Sequence, residues 1–194
     1  MNWITKLAPK IKSILGGKKS LKVADNSWVK CSQCQTMLYS DDLEKNYYVC
    51  PNCDLHLYIH PRTRMKNLFD EGIYEEIPYP TVQLDPLNFK DTNSYKEKFK
   101  EAQAKTEMQD AFLIGYGKMK GISTTVVAMN FKFMGGSLSS AGAEAMVKAA
   151  EHAIAYNTPF IMITSSGGAR MQENQLSLQA VSYTHLTLPT ICSV

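Results

Sequence analysis

The chain has 194 residues, 44% of them hydrophobic and 20% charged, a length and composition suited to one folded domain plus a small module. Those values exclude a disordered chain, a collagen-like chain and a disulfide-dense miniprotein, and no run of about 18 apolar residues offers a transmembrane helix. The net charge of +3 is uneven: residues 1–30 hold seven lysines against the single acid Asp25, leaving 14 basic and 17 acidic side chains in the remainder. A body carrying −3 is not a nucleic-acid surface, so only the leader could take that role.

Residues 1–27 read as a mobile or weakly helical basic arm. The stretch Trp3–Pro9 has neither a long apolar core nor a small-residue cleavage site, so it is not a secretory signal. A reducing cytoplasm is therefore the expected compartment, and paired CxxC motifs there point to metal rather than disulfides. Cys31-Ser32-Gln33-Cys34 and Cys50-Pro51-Asn52-Cys53 are fifteen residues apart, while Cys192 stands alone near the end. Two residues between cysteines let one tight turn aim both sulfurs at a point, and two such turns supply a tetrahedron. The segment 28–60 is thus expected to be a zinc ribbon with one structural Zn2+ on Cys31, Cys34, Cys50 and Cys53. Tyr47-Tyr48-Val49 suits a short strand into the second knuckle. His56 and His60 are alternative ligands, although four cysteines already saturate the ion.

Residues 61–110 read as a helical and extended connector. Met65–Asp70 offers one or two helical turns ending near Gly72, and Pro78, Pro80 and Pro86 keep 77–88 extended. Ser94–Met108, with Tyr95, Phe99 and Ala102 at helical spacing, reads as a surface helix. From residue 111 the texture becomes α/β. Ala111–Gly117 and Ile122–Met129 form a hairpin around Lys118–Gly121, followed by a loop with the adjacent glycines Gly135 and Gly136. Ser139–Tyr156 is an alanine-rich helix that packs closely on a sheet. Phe160–Thr164 is a buried strand running into Ser165-Ser166-Gly167-Gly168-Ala169-Arg170, with a short helical stretch from Met171. Glycines at a strand's carboxyl end let backbone N–H groups approach an anion or phosphate, and the cationic Arg170 would add to the attraction.

The ribbon Cys31–Cys53, the run His56–Arg64, Phe133-Met134-Gly135-Gly136-Ser137 and Ser166-Gly167-Gly168-Ala169-Arg170-Met171-Gln172-Glu173 occur in this order. In combination, from about Trp28 to about Gln179, they resemble the β-subunit family of bacterial-type acetyl-CoA carboxylase carboxyltransferases. The resemblance implies a crotonase-like fold of strand–strand–helix repeats behind the zinc ribbon. It implies pairing with an α subunit as an α2β2 heterotetramer, and transfer of a carboxyl group from carboxybiotin to acetyl-CoA, giving malonyl-CoA for fatty-acid synthesis. The biotin would sit on a separate carrier protein, and ATP would be consumed by a partner biotin carboxylase. Gly167, Gly168, Ala169 and Arg170 are carried over as substrate-binding candidates, with Gly135 and Gly136 as a second loop. No catalytic side chain is assigned, because backbone donors suffice to hold an enolate oxygen.

The family pattern stops after Ser177-Leu178-Gln179, and Thr187-Leu188-Pro189-Thr190 breaks the helix where the family continues. Residues 111–180 are therefore expected to be the N-terminal part of a carboxyltransferase domain, 181–194 a non-native tail, and the chain alone inactive. Other readings are a zinc-ribbon nucleic-acid-binding module, a carboxyltransferase for another acyl-CoA, and a serine hydrolase using Ser165 or Ser166 with His152. The last lacks a G-x-S-x-G elbow.

Overall fold

The computed structural model describes residues 28–179, so the expected basic arm, the expected tail and Cys192 lie outside the described residues. The chain divides into two units, Met1–Tyr58 and Ile59–Val194.

In the first unit, strands β1 (Trp28–Lys30) and β2 (Met37–Tyr39) pair antiparallel, with Trp28 opposite Tyr39, and the first cysteine knuckle is the loop between them. The two knuckles repeat one backbone pattern. Cys31 N donates to Thr36 O at 2.9 Å and Gln35 N to Cys31 O at 3.1 Å; Cys50 N donates to Leu55 O and Asp54 N to Cys50 O, both at 2.9 Å. Gln35 and Asp54 take positive φ, 63° and 57°, at equivalent places in the turns. Helix α1 (Ser40–Lys45) follows β2, with Asp41 and Asp42 in its first turn and Lys45 in its last, which suits the helix dipole. The strand expected over Tyr47–Val49 is not formed. Tyr47 and Tyr48, at φ 52° and 62°, close the end of α1, and only Val49 bridges to His56.

The second unit starts with helix α2 (Pro61–Leu68), whose first-turn proline has no N–H to lose and whose cap is the His60 side chain accepting from Arg62 N at 3.2 Å. Strands β3 (Tyr74–Glu76), β4 (Phe112–Met119), β5 (Ile122–Met129) and β6 (Phe160–Ile163) form one sheet in that order. The first three are antiparallel, and β6 joins β5 in parallel after helix α4. The hairpin β4–β5 turns on Lys120 and Gly121, at φ 50° and 80°, the left-handed pair that matches strand twist. Asp70 clasps that turn, accepting from the Lys120 and Gly121 amides at 2.8 Å each.

Helix α3 (Tyr95–Thr106) is opened by a capping box between Ser94 and Glu97. Helix α4 (Ser140–Ala155) buries Gly142, Ala145, Met146, Ala149 and Ala153, the narrow face its alanines foretold. A Cβ at Gly142 would overlap the ring of Phe112, so the helix rests on β4 at that glycine. Met65 and Phe69 join Phe112, Ile114, Val126, Val127, Phe133 and Met146 in one apolar core. Residues 61–110 thus supply a strand of the sheet and part of its core, beyond linking the ends. Strand β6 differs from expectation: Phe160 and Ile161 are 36% and 38% exposed, because β6 is the outer strand among the described residues and pairs only with β5. Among the described residues no helix is long and apolar enough to cross a membrane.

Candidate metal centre and glycine-turn site

The repeated knuckles bring the Sγ atoms of Cys31, Cys34, Cys50 and Cys53 within 4.8 Å of one another. Cys31 lies 3.6 Å from Cys53, and Cys34 lies 3.6 Å from Cys50. A tetrahedron with metal–sulfur bonds of about 2.3 Å has edges of about 3.8 Å, so the four sulfurs fit one zinc ion with little movement. Cys31 and Cys50 are fully buried, and Leu38 and Leu43 pack beside them. The Cys34 thiol is drawn down to about 5 by hydrogen bonding from Asn52 and Thr36. Cys53 is pushed up to about 12: the Leu55 amide favours its thiolate, but burial and the neighbouring thiols outweigh it. A bound dication favours thiolate at all four positions.

Neither histidine enters this group among the described residues. His56 pairs with Val49 through its backbone in an isolated bridge, and the His60 side chain caps α2 while its Nε2 lies 3.1 Å from Thr106 O. Residues 28–58 carry Lys30 and Lys45 against Asp41, Asp42, Glu44 and Asp54. That balance does not favour phosphate binding by the ribbon itself.

In the second unit, the glycine loop after β5 and the glycine turn after β6 are zipped together by their backbones. Gly167 N donates to Gly135 O at 2.9 Å, Leu138 N to Gly168 O at 2.9 Å, and Arg170 N to Leu138 O at 2.8 Å. Left-handed φ values of 63° at Gly136 and 117° at Gly168 make this possible, and a Cβ at Gly136 would overlap Ser165 O. Leu138 spends both its N–H and its C=O on residues 168 and 170. In such a parallel bridge the amide of Ala169, between them, faces the opposite way. Ser139 begins α4 beside the zipper, its Oγ accepting from Gly142 N at 2.9 Å. The sites expected as two loops are one structure.

Arg170, expected as a cation presented to the ligand, is instead 1% exposed. Its Nη2 donates to Asp110 Oδ1 at 2.6 Å and its Nη1 to Asp110 Oδ2 at 3.1 Å, a bidentate pair. Nε donates to Ser137 Oγ at 2.9 Å, Nη2 also to Ser137 O at 3.1 Å, and Nη1 also to Tyr95 Oη at 3.2 Å. The rings of Phe99 and Phe133 lie 5.8 and 5.6 Å from the guanidinium carbon. The reason is the buried Asp110: a carboxylate removed from water requires a paired cation, and Arg170 is turned inward to provide it. Burial opposes the guanidinium charge, yet Asp110 outweighs it and raises the pKa above its ordinary value.

The network extends further. Tyr95 Oη donates to Glu173 Oε1 at 2.6 Å, and burial raises the phenol's pKa, keeping it a donor. Glu173 Oε2 accepts from Ser140 N and Ser140 Oγ at 2.7 and 2.8 Å, a carboxylate at the positive end of α4. Ser139 Oγ donates to Asp110 Oδ2 at 2.9 Å. A cavity of ≈ 240 Å³ borders Asp110, Glu173, Phe99 and Ala141, below the roughly 300–1,000 Å³ of small-molecule sites. Sequence reasoning gave Tyr95, Asp110, Ser137, Ser139, Ser140 and Glu173 no site role, although Tyr95 stood at the helical spacing of α3 and Ser137 and Glu173 lay within the quoted motifs; the spacing of Glu173 three residues after Arg170 was the available hint. Among the described residues no serine–histidine pair forms: Ser166 Oγ accepts from Gly168 N at 3.0 Å, and His152 Nδ1 lies 3.1 Å from Thr125 Oγ1.

Residues 81–185 match the carboxyl transferase domain family, and residues 28–53 match the acetyl-CoA carboxylase zinc finger domain. The acetyl-coenzyme A carboxylase carboxyl transferase subunit beta of Rhizobium meliloti (strain 1021) is 44% identical over 189 residues, covering 97% of this chain and 61% of that protein. The subunit of the same name from Beijerinckia indica subsp. indica is 41% identical over 192 residues, covering 98% and 65%. The chain thus spans about three fifths of the length of these curated relatives. Among solved structures, transcarboxylase 12S with methylmalonyl-coenzyme A and methylmalonic acid bound aligns at 25% identity and TM-score 0.49, over 64% of this chain and 22% of that one. With the family match reaching over more than half of its residues and the zinc finger match falling on the four-cysteine unit, the chain belongs to the carboxyl transferase domain family.

Proposed function

We propose that this chain is the acyl-CoA-binding side of a biotin-dependent acetyl-CoA carboxyltransferase, the β subunit of an acetyl-CoA carboxylase. Its partner is an α subunit in an α2β2 assembly in the cytoplasm, and the product is malonyl-CoA for fatty-acid synthesis. A biotin carboxylase supplies the activated carboxyl group at the expense of ATP. Carboxybiotin, carried on a separate protein, provides the carboxyl group and, once that group has left, a base. The observation that carries the reading is the zipper of the two glycine turns beside the start of α4, within the family-matched residues.

The reaction forms an enolate at the acetyl group, and its oxygen needs fixed donors. Backbone N–H groups held in place supply them without reorganisation, each worth about 2.7–4 kcal/mol when well aimed. We assign this role to the turn Gly167-Gly168-Ala169, with the Ala169 amide as donor and Gly135-Gly136 as the wall that holds the turn in shape. Gly168 carries no side chain to obstruct a thioester approaching the backbone. No side-chain nucleophile is needed, in keeping with the hydrogen bonds that occupy Ser166 and His152. The zinc ribbon is structural: four thiolates leave no open coordination position for chemistry.

The test is to extend the chain to the length of its relatives, assemble it with an α subunit and assay malonyl-CoA-dependent carboxyl transfer to free biotin. Transfer that needs both subunits supports the reading. A zinc-loaded, assembled complex without transfer overturns it.

A further inference from the structure

We infer that Arg170 is a positioning residue: without touching substrate, it clamps the two glycine turns to each other and to the start of α4. The inference rests on the proposed carboxyltransferase role of the turn, and it gives Arg170 a different task from the ligand contact that its sequence context suggests. Three rigid pieces meet at this side chain. Its own backbone belongs to the second turn, where Arg170 N is bonded to Leu138 O. Its Nε and Nη2 reach Ser137 at the end of the first glycine loop. Its fork closes on Asp110, which leads into β4 and also accepts from Ser139, the residue that caps α4.

Tyr95 on α3 completes the clamp. Its hydroxyl accepts from Arg170 and donates to Glu173, which in turn holds Ser140 at the first turn of α4. The guanidinium fits this role because its planar fork fixes direction as well as distance, whereas an ammonium would keep only the charge. A group that is 1% exposed, with its donors spent on Asp110, Ser137 and Tyr95, has nothing left to offer an anionic ligand. What it controls is where the Ala169 N–H points, since the Gly167 and Gly168 amides are already bonded to Gly135 O and Ser166 Oγ. Small misplacement of such groups lowers the rate of the chemical step more than it lowers binding.

Two variants test this in the assembled, full-length complex: Arg170→Lys, which keeps the charge and loses the fork, and Tyr95→Phe, which removes one hydroxyl. Each is compared with wild type by kcat and KM for malonyl-CoA across a salt series, and by amide exchange in the folded chain. For Arg170→Lys, kcat is expected to fall about 10- to 100-fold while KM changes little. Tyr95→Phe should move the same way by less. In both, amides of residues 135–138 and 167–170 should exchange faster together, while those of the ribbon do not change. A rise in KM with altered salt dependence and unchanged kcat would overturn the inference, since that marks a direct contact with an anionic group. If Arg170→Lys does not fold, Tyr95→Phe decides: unchanged kcat and unchanged loop exchange also overturn it. Should the wild-type complex transfer no carboxyl group, the proposed function falls, while coupled exchange of the two loops still decides whether the clamp exists.

Discussion

At the level of single residues, the buried ionic network makes the sharpest demands. Asp110→Asn leaves the buried Arg170 charge, between Phe99 and Phe133, with its bidentate counter-charge gone and only the Glu173 carboxylate at 3.7 Å among the described residues. Breaking a buried pair in this way costs about 3–5 kcal/mol, so urea unfolding of the variant should show a clearly lower midpoint. Exposed charges behave differently. The carboxylate of Asp91 is held at about 2 by the Lys98 ammonium, 2.7 Å away, with help from the Asn93 amide and the Thr92 hydroxyl. A depressed carboxyl pKa gives stability that is present above its unfolded value, near 4, and is lost as pH falls through the folded value. The stability difference between wild type and Asp91→Asn should therefore be constant above about pH 5 and close towards about pH 2, as read from urea midpoints. The clustering of Cys31, Cys34, Cys50 and Cys53 was legible from spacing alone. The inward turn of Arg170 was not, because its cause is a carboxylate sixty residues away that only the fold brings near.

At the level of elements, periodic segments were legible and irregular ones were not. The β4–β5 hairpin and α4 announced themselves by apolar runs, a Lys-Gly turn and alanines at three- and four-residue spacing. Helix α1 is six residues long and amphipathic only through Leu43, so its pattern gave no period to read, and the aromatic pair after it looked like a strand. The exposure of β6 depends on what lies beyond it, which its apolar sequence does not encode. Helix α4 offers a test in which two effects oppose each other. Alanine favours a helix over glycine by about 1 kcal/mol, so Gly142→Ala on an open face would stabilise. Here the added methyl overlaps the Phe112 ring, fully buried in the core. Overpacking of this kind costs about 1–3 kcal/mol, so a net loss is expected, visible as a lower thermal midpoint. A gain would mean that α4 can slide on β4.

For the molecule as a whole, the division into two units sets what zinc can govern. Residues 28–58, the described part of the first unit, bury few apolar groups, chiefly Leu38 and Leu43 with the cysteines themselves, too little to offset the ordering of about thirty residues. Metal binding in small zinc peptides contributes roughly 10–16 kcal/mol, enough to make folding and metal loading the same event. The second unit has its own core of Phe112, Ile114, Val126, Val127 and Phe133 under a helix, so its folding is not expected to depend on the ribbon's ion. Removing zinc with a chelator, or replacing one ligand by Cys50→Ser, should then abolish amide protection in residues 28–58. The amides of β4 and β5 should keep theirs, and metal analysis of the untreated protein should give about one zinc per chain. Loss of protection in both units at one chelator concentration would show instead that they fold as a single cooperative body, with the ion stabilising the carboxyl transferase layer as well.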